Sequence, residues 1–228
     1  MDRSVLEFKD VHKEYDDAET KLIALSEVNF KIKKNSLNLI SGPAGSGKTT
    51  LFHLIILMDL PTTGDIFLNN ESVLDLSLSK RSVLRREKIG TILRWGNLIP
   101  YLTVLENILL PMINKDEKKA IYIMESLEFS EKKDMLPDDL SHFEKQKTAM
   151  ARAMVNEPSL IVADEPFAEL NNEKAIKLME LFHKIKDETS IIILSDDHDS
   201  NFDKYLDSSF ILKNGKLIKI NRIIENSI

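Results

Sequence analysis

"GPAGSGKTT", Gly42–Thr50, decides how the rest of the chain is to be understood. It matches G-x-x-x-x-G-K-[ST], in which glycines let backbone N–H groups turn inward around phosphate oxygens. Its surroundings supply the required setting. "LNLIS" (Leu37–Ser41) reads as a buried strand before it, and a helical pattern opens at Lys48 after it. Such a helix points its positive N-terminal end at the anion. Gly42, Pro43, Ala44, Gly45, Ser46, Gly47 and Thr50 complete the cradle. Lys48 reaches the β- and γ-phosphates of a nucleotide, and the Thr49 hydroxyl is placed for Mg²⁺.

A second stretch answers the first. "LIVADEP" (Leu160–Pro166) is an apolar strand that delivers Asp164 to its C-terminal end, where a carboxylate holds Mg²⁺ directly or through water. Glu165 beside it is positioned to polarise an attacking water.

Outward from these motifs, "SLIVA" (Ser159–Ala163) and "SIIIL" (Ser190–Leu194) also read as strands buried on both faces, alternating with helical patterns. That order predicts an α/β fold with a largely parallel central sheet. "SVLEFKDVHKEY" and "IALSEVNFKIKK" alternate in polarity, as an antiparallel sheet with one solvated face does. "SFILKNGKLIKI" is a hairpin around Asn214-Gly215. Strand character disappears between Ile99 and Pro158. In "KDEKKAIYIMESLEF", Ala120, Ile123 or Met124, and Leu127 share one helical face. The expected organisation is a single domain over 1–228, with core segments 1–93 and 159–228 and an inserted helical lobe at 94–158.

Bulk properties narrow the function. The 228 residues suffice for one core with an inserted lobe, and 43% hydrophobic with 30% charged residues is ordinary for a globular chain. A net charge of −6 gives no ground for expecting nucleic acid as a partner. With no cysteine, structural disulfides and thiolate metal sites are ruled out. The opening "MDRSVLEFKD" does not read as a signal peptide. The most apolar run, "LFHLIILM" (Leu51–Met58), is far shorter than the roughly 20 residues that span a bilayer. Any membrane role comes through a partner.

Taken with "LSLSKRSVLRREKIG" and "GNLIPYLTVLENILLPMI" (between Leu76 and Ile113) and "MARAM" (Met150–Met154), these motifs resemble the nucleotide-binding subunits of ABC transporters, from about Val5 to Ile220. Within them the chain is similar to the lipoprotein-release, macrolide-export and cell-division group that includes LolD, MacB and FtsE. The resemblance implies a P-loop NTPase of the ABC ATPase type: a mixed central sheet, an N-terminal antiparallel β subdomain and an inserted helical lobe. It implies ATP and Mg²⁺ as cofactors, with Tyr15 stacked on adenine. It also implies a homo- or heterodimer with two nucleotides between the subunits, the Ser141 hydroxyl of each reaching the other's γ-phosphate. The helical lobe would meet a transmembrane permease of the MacB, LolCE or FtsX type, placing the subunit in the cytoplasm on the inner face of the cell membrane.

Several positions depart from that pattern. Arg94 stands where the family has a glutamine; a guanidinium has no lone pair for a metal. The signature L-S-G-G-Q is "LSHFE" (Leu140–Glu144), so His142 and Phe143 add bulk and Glu144 adds negative charge. The switch histidine is replaced by Asp196 in "LSDD", and a carboxylate cannot donate to a phosphate. Asn171 ends "FAELN", where an aspartate is usual. Arg94 and Asp196 have opposite charges, which permits an ion pair between them or two solvent-facing side chains. These residues predict that ATP binding survives and hydrolysis is slow or absent, while the retained Glu165 leaves the enzymatic question open. Two roles remain: a transporter subunit with weak turnover, or an ATP-dependent conformational switch or scaffold for an FtsX-like partner.

Overall fold

The computed structural model describes residues 4–17, 20–94 and 96–220. Residues 1–3 and 221–228 of the expected domain lie outside that range. The chain opens with β1 (Ser4–Asp17) and β2 (Thr20–Lys33), paired antiparallel, and β3 (Leu37–Ser41) leads into α1 (Lys48–Ile55). β4 (Thr63–Leu68) and β5 (Glu71–Ser72) complete a four-stranded antiparallel sheet in the order β2-β1-β4-β5. α2 (Leu78–Lys88) and β6 (Ile89–Ile92) come next. Then follow the lobe helices α3 (Val104–Leu109), α4 (Glu117–Ser126) and α5 (His142–Met154). β7 (Leu160–Asp164), α6 (Asn172–Ile185), β8 (Ser190–Ser195), β9 (Ser208–Lys213) and β10 (Lys216–Ile220) end the described chain.

The central sheet has the order β10-β9-β3-β8-β7-β6. All its pairings are parallel except β9–β10, the predicted hairpin. Asn214 (φ 50°) and Gly215 (φ 73°) both take the left-handed conformation that a tight two-residue hairpin turn requires. β3 is buried along its whole length, as its unbroken apolar run predicted.

Alternation along β7 and β8 divides the core into two layers. Ile161, Ala163, Ile191 and Ile193 face the lobe and α6, packing with Val104, Met124, Met150 and Phe182. Leu160, Val162, Ile192 and Leu194 face the other way, toward α1 and the antiparallel sheet. The lobe therefore has no core of its own; its helices cover one face of the sheet. The predicted face of α4 is the buried one, with Ala120, Met124 and Leu127 all fully inaccessible. Among the described residues, no helix is long and apolar enough to cross a membrane.

Candidate nucleotide site

Parallel pairing sets the C-terminal ends of β3, β7 and β8 side by side, the place where open α/β sheets bind ligands. Ser41 is in register with Ser195, and Asp164 with Leu194. The phosphate loop leaves β3 at this edge. Its Gly42 N–H donates to the Ser195 carbonyl (3.1 Å), tying the loop to β8. Gly47 precedes α1 at φ 108° and offers no side chain to the helix N-terminus, whose N–H groups face the loop uncapped by any side chain. A Cβ at Gly47 would lie 2.6 Å from the Ala24 carbonyl oxygen, so only glycine fits there.

The hairpin turn braces the loop from the far side. Gly215 N–H donates to the Ser46 carbonyl (3.0 Å), and the Gly215 carbonyl accepts from Ser26 N–H (2.9 Å). Thus β2, the hairpin and the phosphate loop are stitched at one point. They enclose a cleft of about 610 Å³, within the usual range for ligand sites. Ala44, Gly45, Gly47, Lys48, Thr49 and Thr50 line it from the loop. Arg94, Asp164, Glu165 and Asp196 line it from the strand ends. The sequence had singled out these loop and strand-end residues, and the fold lines one cleft with them.

Charge in the cleft is arranged around Lys48. Its side chain is 9% exposed, and its ammonium group donates to the carbonyls of Gly42 and Pro43. The third partner is the Asp196 carboxylate, at 2.7 Å. Of the two outcomes left open for Asp196, pairing with Arg94 or facing solvent, the structure shows neither alone: its carboxylate pairs with the phosphate-loop lysine while the side chain stays half exposed. Arg94 acts at longer range, lowering the carboxyls of Asp164 and Asp196 by its charge. The Lys48 hydrogen bond holds the Asp196 carboxyl below the usual range.

Asp164 and Glu165 go the other way. Burial raises Asp164, opposed by Lys48 and reinforced by Asp196. Burial, then the Asp196 charge, pushes Glu165 up to about 7. That value leaves Glu165 only partly protonated near neutral pH, beside the charge of Asp196. The Glu165 backbone sits at φ 48°, and its N–H donates to the Leu194 carbonyl (2.9 Å), so the chain turns sharply as it leaves β7.

Thr49 and Asp164 fit a magnesium ion. Both line the cleft beside the phosphate loop, and Asp164 is a partly buried carboxylate whose charged form a cation would favour. Among the described residues, no group of three or more His, Cys, Asp or Glu could cage a metal. Mg²⁺ typically takes only one or two protein groups and fills its shell with phosphates and water.

The signature segment lies elsewhere, at the start of α5, and every altered residue there is bound within this chain. Ser141 caps the helix, and with Glu144 it forms a reciprocal capping box. The Ser141 hydroxyl donates to the Glu144 carboxylate at 2.7 Å. Lys132 lies 3.2 Å from the same carboxylate. Burial works to raise the Glu144 carboxyl, but the Ser141 hydroxyl, its N–H and Lys132 together lower it. Ser141 was expected to present a free hydroxyl to a partner; here it is engaged at home. His142, which is largely exposed, comes within 3.4 Å of Glu169. Phe143 packs against the core layer that the lobe helices share with the central sheet, with Lys147 and Lys174 ammoniums 5.1 and 4.9 Å from its ring centroid. Asn171 caps α6, accepting from Lys174 N–H (2.9 Å).

Tyr15 does not line the cleft. Its hydroxyl donates to Asp59 (3.2 Å), and Lys13 lies 5.0 Å from its ring centroid. The apolar wall is Leu22, which pairs across the ladder with Tyr15, and Ile23; they are 60% and 59% exposed. Sequence reasoning did not place these two, or the predicted Asn214-Gly215 turn, at the cleft. A signal existed: "LIAL" (Leu22–Leu25) is four apolar residues in succession on an otherwise alternating strand.

Comparison with known proteins agrees with this geometry. The ABC transporter family matches residues 25–168. An uncharacterized ABC transporter ATP-binding protein of Methanocaldococcus jannaschii, MJ0796, is 34% identical over 223 residues, covering 93% of this chain and 95% of the relative. The lipoprotein-releasing system ATP-binding protein LolD of Buchnera aphidicola is 35% identical over 85% of this chain and 87% of its own length. The dimeric structure of the MJ0796 cassette superposes with a TM-score of 0.84 at 32% identity, covering 95% of this chain and 99% of that one. A second structure of that cassette is a dimeric post-hydrolysis state bound to ADP and Pi. The phosphate loop, the acidic strand end and these relatives together place the chain in the ABC transporter family, as one of its ATP-binding subunits.

Proposed function

We propose that this subunit binds Mg-ATP in a lipoprotein-release or macrolide-export type of complex, and that it hydrolyses ATP slowly or not at all. The observation that carries the proposal is the Lys48–Asp196 ion pair inside an otherwise complete phosphate site. Backbone N–H groups of the loop and α1 would hold the phosphates, with adenine against Leu22, Ile23 and the neighbouring Tyr15. The Thr49 hydroxyl and the Asp164 carboxylate would hold a magnesium ion, which would neutralise phosphate charge there.

Glu165 is the residue that would take a proton from the attacking water. Around it, the groups that would stabilise developing charge are altered. Arg94 cannot coordinate metal and Asp196 cannot donate to phosphate; on the α5 face, which would serve a second subunit's site, the Ser141 hydroxyl donates to Glu144.

Two surfaces support an assembly. A groove of about 560 Å³ between the central sheet, α2 and the lobe is lined by Ile56, Met58, Leu110 and Pro111 together with Arg85 and Arg86. It suits a cytoplasmic element of a MacB-, LolCE- or FtsX-type permease, which would hold the subunit at the inner face of the membrane. The α5 face would meet a second nucleotide-binding subunit. The alternative role, an ATP-dependent switch or scaffold, is favoured by the self-contained capping box at Ser141 and Glu144.

The test is phosphate release from Mg-ATP, measured beside nucleotide binding, for the native chain and Glu165→Gln. Equal rates with binding retained support impaired hydrolysis. Turnover well above the variant refutes it. A rise in release only with the permease present favours the transporter role over the switch.

A further inference from the structure

Lys48 has three ammonium protons and three acceptors from its own chain: the carbonyls of Gly42 and Pro43, and the Asp196 carboxylate. The first two belong to the loop that shapes the site. Asp196 comes from the end of β8, and its side chain is 55% exposed against 9% for Lys48. It therefore reaches the buried ammonium from the open side of the cleft, where the outermost phosphate of a nucleotide would arrive. We propose that Asp196 is a built-in stand-in for the γ-phosphate, so that the site selects nucleoside diphosphates over triphosphates. This inference rests on the nucleotide-binding reading above and concerns which nucleotide the same site prefers.

Charge arithmetic supports the direction. Three acidic side chains line the cleft, Asp164, Glu165 and Asp196, against Lys48 and Arg94. Around the lysine, Asp196 both neutralises the ammonium and occupies one of its donors. A diphosphate uses the backbone cradle and the uncapped start of α1, and it leaves that ion pair in place. A triphosphate must either displace Asp196 from Lys48 or bring its terminal phosphate beside an uncompensated carboxylate. The penalty falls most heavily on the terminal phosphate, so it appears as selectivity between ligands. Asp196 is in this sense a specificity-determining residue. Its hydrogen bond with Glu165 steadies it from the other side.

The experiment is calorimetric titration of the purified full chain with ADP, and separately with a non-hydrolysable ATP analogue, both with Mg²⁺. The native chain is expected to bind ADP at least tenfold more tightly than the triphosphate. Asp196→Asn, which keeps the shape and removes the charge, should abolish or invert that ratio. Asp196→Ala serves as the second variant and should act in the same direction. Triphosphate bound as tightly as diphosphate by the native chain overturns the inference alone, as does a ratio that neither substitution moves. Failure of both nucleotides to bind a folded native chain overturns the nucleotide-binding reading itself.

Discussion

Two regions of this chain have each placed a carboxylate on a group suited to an anion, and they have done so in different ways. At the sheet edge, Asp196 reaches Lys48 across the cleft, from an exposed position just past the end of β8. At the start of α5, Glu144 folds back onto Ser141 three residues earlier, as part of a capping box, and Lys132 secures it. The first contact is tertiary and can open by moving one side chain. The second is part of what makes the helix begin where it does, and breaking it costs helix stability. Docking of Phe143 beneath Lys147 and Lys174 adds to that cost. The lesson is that the cleft retains a ligand-responsive contact, whereas the signature segment has been converted into local structure.

Lys48→Ala breaks the first half of the comparison outright. Nucleotide affinity should fall by about a hundredfold, from the loss of charge-assisted hydrogen bonds, while the melting temperature stays close to native. Titration and thermal denaturation check the two parts. A fall in affinity of less than threefold would mean the cleft does not depend on this lysine.

Restoring the altered cleft positions sharpens the contrast. Arg94→Gln combined with Asp196→His should raise phosphate release by about tenfold or more, since individual transition-state donors are commonly worth a hundredfold. Glycines at His142 and Phe143 should by themselves raise it little and lower the melting temperature. The opposite ranking would show that the signature segment limits turnover.

A smaller effect tests the helix start directly. Ser141→Ala should cost about 1 kcal/mol and lower the melting temperature by about 3 °C. Thermal denaturation with no shift would remove the cap from the account.

The smallest effect is on the pH dependence of stability. Glu165 is raised from 4.5 to about 7 in the folded chain. Between those values the unfolded chain has released this proton and the folded chain still holds it, so this residue lowers stability as pH rises through the window. Asp196, whose carboxyl is lowered, contributes stability that is lost only as pH falls below its ordinary 3.8. The Glu165→Gln variant should therefore lose less stability than the native chain between about pH 5 and 7.5, read from urea midpoints. Parallel profiles for the two proteins would count against the buried, proton-holding Glu165.

Much of this was legible in the sequence. The buried strands, the hairpin and the amphipathic face of α4 follow from period and turn chemistry, which act over a few residues. The phosphate loop with its Lys-Thr, and the acidic end of β7, are likewise short-range patterns whose context confirms them. Even the capping box was available, because Ser141 and Glu144 carry the S-x-x-E spacing. Judged against the family signature alone, Glu144 stood out only as an unwanted charge.

Other features required the fold. Tyr15 has the spacing of an adenine platform, yet its hydroxyl is held by Asp59 and the cleft wall belongs to its cross-strand neighbours. Gly215 braces Ser46 only because β9 lies next to β3 in the sheet. Asp196 had two candidate fates in the sequence, pairing with Arg94 or facing solvent, and neither named Lys48. Charge complementarity can say that a carboxylate will find a cation. It cannot say which one, because that depends on which strand ends lie within about 3 Å of each other's side chains. Short-range patterns thus determined by themselves what this protein can bind. The parallel register of β3 and β8, set by burial on both faces of the sheet, decided which residue sits on the lysine that would bind it.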